Sequence, residues 1–182
     1  TIRAITVRHG MRPSFSPKAV NGGVGNGGHL HFSIWRDGLN LFENFHDEAK
    51  QFSAGILNHI RALCAIGCPS LASYLRLVPH TWSAPFVAWG EENRETALRL
   101  IQDNLEIKCF DLTANPYLVV AGVIAAGLDG IATKATLPEG LNIDPALLDG
   151  AQRLPTSLRE AVDEFEKDAV LTEAFGKELA GT

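Results

Sequence analysis

The stretch GGVGNGGHLHFSIW, from Gly22 to Trp35, joins a glycine-rich loop to a strongly alternating segment. Five of the seven residues from Gly22 to Gly28 are glycine, so this backbone can adopt positive φ and approach a ligand closely. From position 29 onward, polar and apolar residues alternate with the period of a β-strand. One face of the predicted strand is therefore apolar, and the other carries His29, His31, Ser33 and Trp35.

His29 and His31 place two imidazoles on the same strand face. They could share a metal ion, or divide between a metal ion and a nucleotide, with carboxylate or phosphate oxygens completing the site. A surface pair or a hydrogen-bonded pair of histidines has the same spacing, so spacing alone does not decide. The glycine run beside them favours a phosphate or carboxylate ligand, and a flexible surface turn is the alternative.

Further elements are predicted outward from this stretch. Asp37-Gly38 is a turn signal that predicts a hairpin with 39–42 as its second arm. Helical spacing of apolar residues predicts an amphipathic helix from a cap at Asp47 to a stop at Gly67 and Pro69. The other predicted elements are a strand at 2–7, a loop at 11–18, a short helix at 70–77, a strand at 86–89, a hairpin of 97–101 with 105–110, a helix from Asn115-Pro116 through 131, a helix after a Ser157–Glu160 capping box, and a helical tail.

These elements predict an α+β fold with an antiparallel sheet flanked by helices, in a single domain spanning residues 1–182. Hydrophobic residues make up 46% and charged residues 20%, which is typical of a packed globular chain. The net charge of −5 argues against nucleic acid as a partner. The longest apolar run, 116–128, is shorter than the ~20 residues of a bilayer span, so we expect a core helix and no membrane partner.

The three cysteines give no disulfide framework, because their number is odd. We interpret Cys64 and Cys68 as small buried hydrophobes in a reducing cytosol. Their helical spacing could also place two thiolates on a metal, but no second Cys or His pair stands nearby in the sequence to complete a tetrahedral site.

Five further charged residues are candidates for a site. Arg76, Arg94 and Arg99 carry guanidinium groups suited to bidentate binding of carboxylate and phosphate. Glu106 and Lys108 share one face of a predicted strand, where they could be a metal ligand and a phosphate contact. Solvated arginines and a cross-strand ion pair are the alternatives.

Five segments occur in an order and spacing that resemble the catalytic region of glutamine synthetase. The resemblance covers residues 14–134, and the C-terminal helices are compatible with it. The segments are SFSPKA at 14–19, GNGGHLHFSIWRDGLNLF at 25–42, YLRLVP at 74–79, APFVAWGEENRETALRL at 84–100 and LEIKCFDLTANPYLVVAGVIAAGLDGI at 105–131.

The resemblance implies a cytoplasmic ligase of nitrogen metabolism that uses ATP and Mg²⁺ or Mn²⁺. In this family the γ-phosphoryl group of ATP moves to the side-chain carboxylate of glutamate, and an amine then attacks the acyl phosphate. The family assembles as homo-oligomers, in rings of six that stack in pairs.

The resemblance also implies roles for residues at matching positions. It places metal ligands at His29 and Glu106, and nucleotide contacts at His31 and Ser33. It places substrate contacts at Gly25, Arg76 and Ser83, phosphate contacts with a catalytic role at Arg94 and Arg99, and Lys108 where the family has an arginine that stabilises the transferring group.

Two departures from the family pattern concern the amine. Trp82-Ser83 stands where the typical enzyme has a glutamate that helps to bind ammonium, and tryptophan offers a flat apolar or cation–π surface instead. Lys108 in place of arginine lacks the planar fork. We therefore expect a γ-glutamyl ligase of the γ-glutamylpolyamine synthetase type, acting on an amine larger than ammonia, such as a polyamine or an ethanolamine-type compound.

A third departure is length. The family's N-terminal β-grasp domain, and the part of the catalytic domain with most of the metal-binding glutamates, have no counterpart in this chain, so we expect the chain alone to be inactive. A non-catalytic relative with a binding or structural role is the rival interpretation. Retention of the candidate histidines, arginines and Glu106 speaks against it.

Overall fold

The computed structural model describes the backbone of residues 1–180 and the side chains of residues 1–176. Within that part of the chain, helices and short strands alternate in mixed order. In chain order they are α1 (Ile2–Arg8), β1 (Leu30–Phe32), β2 (Trp35–Arg36), β3 (Leu39–Asn40), α2 (Asp47–Gly67), α3 (Leu71–Arg76), β4 (Trp89–Glu91), β5 (Leu98–Ile101), β6 (Asn104–Ile107), α4 (Pro116–Ala132), a 3₁₀ turn (Pro145–Leu147), α5 (Leu158–Lys167) and α6 (Ala169–Ala180).

The main sheet has the strand order β1-β6-β5-β4, and β2 pairs with β3 in a separate hairpin. The α+β fold with helices flanking a sheet is confirmed, and β1, β6 and β5 pair antiparallel as predicted. β4 differs, because it pairs parallel with β5. The connection at 92–97 carries the chain back along the sheet before β5 begins, so β4 and β5 run in the same direction.

The apolar face of the sheet packs on α2. Phe32 of β1 lies with its ring centroid 5.7 Å from that of Phe52 on α2 and 5.9 Å from that of Phe42. In the pairing register, Phe32 stands opposite Leu105, and Leu105 stands opposite Leu100. The predicted alternation along β1 is thus confirmed, and the polar side chains are left on the opposite face of the sheet.

Helices α2 and α4 cross with their backbones in contact. A Cβ atom on Gly55 would lie 2.2 Å from the carbonyl oxygen of Ala126, and one on Gly130 would lie 2.2 Å from the carbonyl oxygen of Gln51. Real Cβ atoms do not approach backbone this closely, so both positions require glycine. The crossing brings α4, and with it the segment before α4, against the helix that supports the sheet.

The strand predicted at 2–7 is wrong, since these residues form α1. Alternating β-branched residues favour a strand only where a partner strand and a buried face exist, and every residue of α1 is at least partly exposed. Backbone hydrogen bonds along α1, such as Ile5 N–H to the Thr1 carbonyl, satisfy the segment locally instead.

The ends of other helices and strands differ from the predicted ends by a few residues. His46, not Asp47, caps α2, and the strand predicted at 86–89 begins at Trp89, because Phe86 forms only an isolated bridge with Arg153. The Asn115 cap is confirmed, and so is the Ser157 cap, although the Glu160 carboxylate reaches Thr156. The tail forms α6, but 181–182 and the side chains of 177–180 lie outside the described residues.

Helix α4 is buried on one face only. Val119, Val123 and Ala126 face the core, as predicted for a core helix, whereas Tyr117 is 84% exposed and Leu128 is 54% exposed. In the part of the chain that the structure describes, no helix combines the length and the apolar content that crossing a bilayer demands.

Cys64 and Cys68 are fully buried at the end of α2, as predicted, and Cys109 joins them. The Cys68 thiol donates to the Cys109 carbonyl at 3.2 Å. Contacts with the thiols of Cys109 and Cys68, together with burial, raise the pKa of Cys64 well above its usual value. All three cysteine side chains are therefore packed between α2 and the residues that follow β6, and Cys64 is a protonated thiol.

His59 connects three helical segments through two carboxylates. Its Nδ1 lies 2.6 Å from Asp168, between α5 and α6, and its Nε2 lies 3.2 Å from Asp129 on α4. The hydrogen bond to Asp168 raises the pKa of His59 and outweighs burial. Burial alone would raise the pKa of Asp168, but His59 and the Leu171 N–H lower it.

We expect His59→Gln to destabilise the fold in a pH-dependent way. Because the folded-state pKa of His59 is raised, its contribution is complete below the ordinary value of 6.5 and is lost as the pH rises through the raised pKa. The Asp168 contribution is lost at the other end, as the pH falls below 3.8 through its lowered pKa. In urea unfolding at about pH 5.5, His59→Gln should lower the free energy of unfolding by about 1–2 kcal/mol. The loss should be smaller at high pH.

The matched control is His80→Gln, since His80 pairs with Asp144 at 3.2 Å but is mostly exposed. It should change the free energy of unfolding by less than about 0.5 kcal/mol at either pH. A His59→Gln effect that is equal at both pH values would contradict a charged link between the helices.

Candidate functional site

The site is a row of charged side chains on the polar face of the sheet. His31 of β1 stands opposite Glu106 of β6, and Glu106 stands opposite Arg99 of β5. Residues opposite one another in antiparallel strands project to the same face, so the three side chains must meet. The β5–β6 hairpin and β1, which lies about seventy residues earlier in the chain, thus bring together residues that the sequence proposed separately.

Glu106 is the centre of the row. Its side chain is 5% exposed, and its Oε1 lies 2.7 Å from His29 Nδ1 and 3.4 Å from His31 Nε2. Its Oε2 accepts from Arg99 at 3.2 Å. Burial raises the pKa of Glu106, but His29 and Arg99 together lower it by more than burial raises it. The net shift of the pKa is downward, so the carboxylate is charged at neutral pH.

His29 lies between the glycine loop and Glu106. Burial lowers the pKa of His29 and outweighs the opposing effect of Glu106, so the ring is neutral at neutral pH. A neutral imidazole is the form that binds metal ions. A Cβ atom placed on Gly27 would lie 3.1 Å from His29 Nε2, so the loop backbone passes close to this ring.

Arg76, at the end of α3, is buried beneath the glycine loop. Its Nη1 donates to the Cys109 carbonyl at 2.8 Å, and its Nη2 donates to the Lys108 carbonyl at 2.9 Å. A Cβ atom on Gly25 would be 2.6 Å from Arg76 Cγ, and one on Gly27 would be 2.5 Å from Nη2. Arg76 therefore connects α3 and the loop to the end of β6, and its predicted contact with a substrate carboxylate stays a prediction.

Lys108 and Arg94 meet through the backbone. The Lys108 ammonium donates to the Arg94 carbonyl, while the Arg94 side chain is exposed. Burial lowers the pKa of Lys108, although Glu106 acts in the opposite direction. Lys108 thus fixes the 92–97 connection over the end of the sheet and leaves the guanidinium of Arg94 free to turn toward a ligand.

Arg99 has a second carboxylate partner that the sequence did not point to. Its Nη2 donates to Glu92, an exposed residue of the 92–97 connection, while Nη1 donates to Glu106. Its Nε is buried and has no hydrogen-bond partner. A buried guanidinium N–H without an acceptor is costly, and an anion at the polar face could supply one.

The outer end of the row is exposed. His31 is half exposed, and its Nδ1 lies 3.0 Å from Asn104 Oδ1. Ser33 is exposed and accepts from the Trp35 indole N–H at 2.8 Å. His31 and Ser33 are thus accessible from solvent, and their predicted contacts with a nucleotide stay predictions.

The loop at 78–84 begins two residues after Arg76. His80, Trp82 and Ala84 all have positive φ, between 54° and 60°, which non-glycine residues adopt rarely. Ser83 is buried and donates to the Val78 carbonyl at 2.9 Å, so its hydroxyl braces the loop. The Trp82 side chain is 66% exposed, and the predicted substrate role of Ser83 stays a prediction.

A divalent metal ion fits part of this arrangement. A neutral imidazole nitrogen of His29 and a charged oxygen of Glu106 are donors that Mg²⁺ and Mn²⁺ accept. In this structure the 2.7 Å contact between His29 Nδ1 and Glu106 Oε1 is a hydrogen bond, which an ion held by both residues would replace. Among residues 1–176 no three His, Cys, Asp or Glu side chains are arranged to hold a metal ion, so the further ligands of an ion here would come from a substrate, water or other polypeptide.

Two residues of the site, Glu92 and Asn104, were not predicted from the sequence. Glu92 lies in a connection, where periodicity carries no information. Asn104 precedes Glu106 on β6 by two residues, so the strand period of two could have placed it on the same polar face.

Comparison with known proteins shows what the chain is similar to. A family model described as "Glutamine synthetase, catalytic domain" matches residues 1–182. Gamma-glutamylpolyamine synthetase GlnA3 of Streptomyces coelicolor is 50% identical to the chain, and the match covers 99% of this chain and 43% of that protein. Glutamine synthetase of Thermococcus kodakarensis is 38% identical, over 96% of this chain and 43% of that protein.

Solved structures give the same result. A GmaS/ADP complex superposes with a TM-score of 0.91 at 36% identity, covering 98% of this chain and 45% of that chain. An apo GmaS structure superposes with a TM-score of 0.89. The chain therefore spans less than half the length of these relatives.

Proposed function

The chain belongs to the glutamine synthetase family, and from that premise we propose that it forms one wall of the active site of an ATP-dependent γ-glutamyl ligase. The observation that carries the proposal is the row of His31, Glu106 and Arg99, with His29 beside it. One buried carboxylate among several cationic or imidazole groups leaves the polar face suited to a phosphate chain.

The proposed reaction has two steps. An oxygen of the glutamate side-chain carboxylate attacks the γ-phosphorus of ATP, the bond to ADP breaks, and an acyl phosphate forms. The amine nitrogen then attacks the acyl carbon, inorganic phosphate leaves, and the nitrogen releases a proton. Neither step needs a protein nucleophile, so the protein's contribution is positioning and charge stabilisation.

Residues of this chain divide that work. Arg99 would hold a phosphate oxygen through its unpartnered Nε, and the exposed Arg94 would close on the transferring group. His31 and Ser33 would contact the nucleotide at the open end of the row. His29 and Glu106 would hold a Mg²⁺ or Mn²⁺ ion, which neutralises phosphate charge. Arg76 and Gly25 would lie on the glutamate side of the loop.

We propose that the amine is larger than ammonia, and that Trp82 helps to select it. Its exposed indole can accept an alkylammonium group through cation–π contact, whereas a small, strongly hydrated ammonium ion benefits more from a carboxylate. The name of the Streptomyces coelicolor relative, a γ-glutamylpolyamine synthetase, supports this choice. Cytoplasmic location and a ring-shaped homo-oligomer remain predictions from the family.

The test is amine-dependent ADP release by the full polypeptide that carries this chain, with ammonium, ethanolamine, a diamine and a polyamine as separate substrates. We expect a larger amine to be preferred, Trp82→Phe to keep that preference, and Trp82→Glu to shift it toward ammonium. Activity confined to ammonium in the unaltered protein would overturn the amine assignment. A folded protein that releases no ADP with any amine would instead support the non-catalytic alternative.

The chain alone is expected to be inactive, because it supplies two metal donors and spans 43% of the length of its relatives. Isothermal titration of the 182-residue chain should find only weak ATP and Mg²⁺ binding. The full polypeptide, titrated in parallel, is the control. Turnover by the chain alone would contradict the assignment of the remaining ligands to other polypeptide.

Gly27→Ala should lower the turnover of the full polypeptide by about a hundredfold, since small displacements of positioned groups cost that much. The added Cβ would collide with Arg76 Nη2 at 2.5 Å and crowd His29 Nε2 at 3.1 Å. Gly23→Ala is the control in the same loop, because its Cβ would lie 3.3 Å from the Val20 carbonyl oxygen, away from the site. Equal effects of the two changes would show that the close approach at Gly27 has no role.

A further inference from the structure

Asn104 has its amide group fixed in one orientation. Its Nδ2 lies 3.2 Å from the Ile101 carbonyl oxygen and 3.0 Å from Asp103 Oδ1. Both neighbours can only accept hydrogen bonds, so the NH₂ end of the amide must face them. The other end, Oδ1, therefore faces His31.

That orientation determines which nitrogen of His31 carries a hydrogen. Asn104 Oδ1 can only accept, and it lies 3.0 Å from His31 Nδ1, so Nδ1 is the donor. The 3.0 Å contact of Nδ1 is shorter than the 3.4 Å between Nε2 and Glu106 Oε1, so the neutral ring places its hydrogen on Nδ1, while the imidazolium donates from both nitrogens. The remaining nitrogen, Nε2, points along the row and lies 3.4 Å from Glu106 Oε1.

We propose that Asn104 is a positioning residue that holds the His31 ring with Nε2 toward the polar face, where the nucleotide would bind. The inference rests on the proposed function for the identity of the ligand, but not for the orientation of the ring. His31 is half exposed, and a ring with that much freedom would otherwise sample both tautomers and both flips. The diagonal relation of Asn104 to His31 across β1 and β6 places the amide within reach.

Glu106 and Asn104, two residues of β6, have different roles toward the histidines. Glu106 faces the nitrogens of His29 and His31 that lie inside the site, while Asn104 holds the opposite side of the His31 ring. Partners that orient a functional histidine through its second nitrogen affect binding or activity by about 10–100-fold when removed. A similar loss is expected here.

The first test does not depend on activity. Magic-angle-spinning NMR of the full polypeptide, labelled with ¹⁵N in histidine, freed of metal by a chelator and held at a pH where the ring is neutral, reports the His31 tautomer. His31→Gln identifies the signal. We expect a protonated Nδ1 in the unaltered protein and in Asn104→Asp, which keeps an acceptor, and a shift toward protonated Nε2 in Asn104→Leu. A protonated Nε2 in the unaltered protein would overturn the proposal.

The second test uses steady-state kinetics of the same variants. Asn104→Leu should raise KM for ATP about tenfold and change kcat less, Asn104→Asp should recover most of the loss, and Asn104→Leu should add nothing in a His31→Gln background. Additive effects of the two changes would overturn the link between the residues. If the unaltered protein releases no ADP at all, the proposed function fails while the NMR result still decides the role of Asn104.

Discussion

Gly55→Ala is expected to lower the free energy of unfolding by about 3 kcal/mol or more, at or beyond the upper end of overpacking costs. The added Cβ would stand 2.2 Å from the Ala126 carbonyl oxygen and 2.7 Å from the Gly130 nitrogen. Backbone cannot rotate away as a side chain can, so α2 and α4 would have to separate. The gain of about 1 kcal/mol in helix propensity is too small to compensate. Urea unfolding followed by circular dichroism measures the loss.

Gly122→Ala on α4 is the matched control. Its Cβ would meet Leu63 Cδ2 at 2.9 Å, and Leu63 can adjust its rotamer. The change should therefore stay within about 1 kcal/mol of the unaltered protein. If Gly55→Ala were as mild as Gly122→Ala, the close crossing of the two helices would be wrong.

Glu106→Gln is expected to reduce the ligase turnover of the full polypeptide by about a hundredfold or more. The lowered pKa of Glu106 keeps its carboxylate charged, and that charge faces His29, His31 and Arg99. Glutamine removes the charge, and its NH₂ group, itself a donor, would face the donors of either Arg99 or the histidines. Metal affinity, measured by Mn²⁺ titration, should fall together with turnover.

Glu48→Gln is the control for that experiment. Glu48 also pairs with an arginine, Arg36, but the pair lies on the surface. Its removal should leave turnover within about twofold, because exposed ion pairs contribute little. Turnover of Glu106→Gln above a third of the unaltered value would remove Glu106 from the metal site.

Local patterns predicted much of this fold. The apolar face of Leu30, Phe32 and Ile34, the Asp37-Gly38 turn and the Asn115 cap each depend on neighbours within a few residues, and all three are confirmed. The strand predicted from His29 to Trp35 is shorter than predicted, since β1 ends at Phe32 and Trp35 belongs to the separate β2–β3 hairpin. The strand predicted at 2–7 failed because pairing and burial, not local pattern, decide between a strand and a helix there. The parallel pairing of β4 is likewise a long-range property.

The candidate site was predicted as a set of residues but not as an arrangement. Sequence spacing placed Glu106 and Lys108 on one strand face, but it could not show that Arg99 and His31 would flank Glu106 in register. It also could not show that Arg76 would be buried against backbone carbonyls, since those belong to residues more than thirty positions away.

The buried thiols of Cys64, Cys68 and Cys109 give the protein an internal reporter. The thiolate is the form that alkylating reagents attack, the pKa values of Cys64 and Cys68 are raised, and all three thiols are shielded from solvent. Labelling therefore has to await an opening of the end of α2 away from the segment after β6. Because Arg76 bridges the glycine loop and the Cys109 carbonyl, the labelling rate of Cys109 would register how often this junction opens.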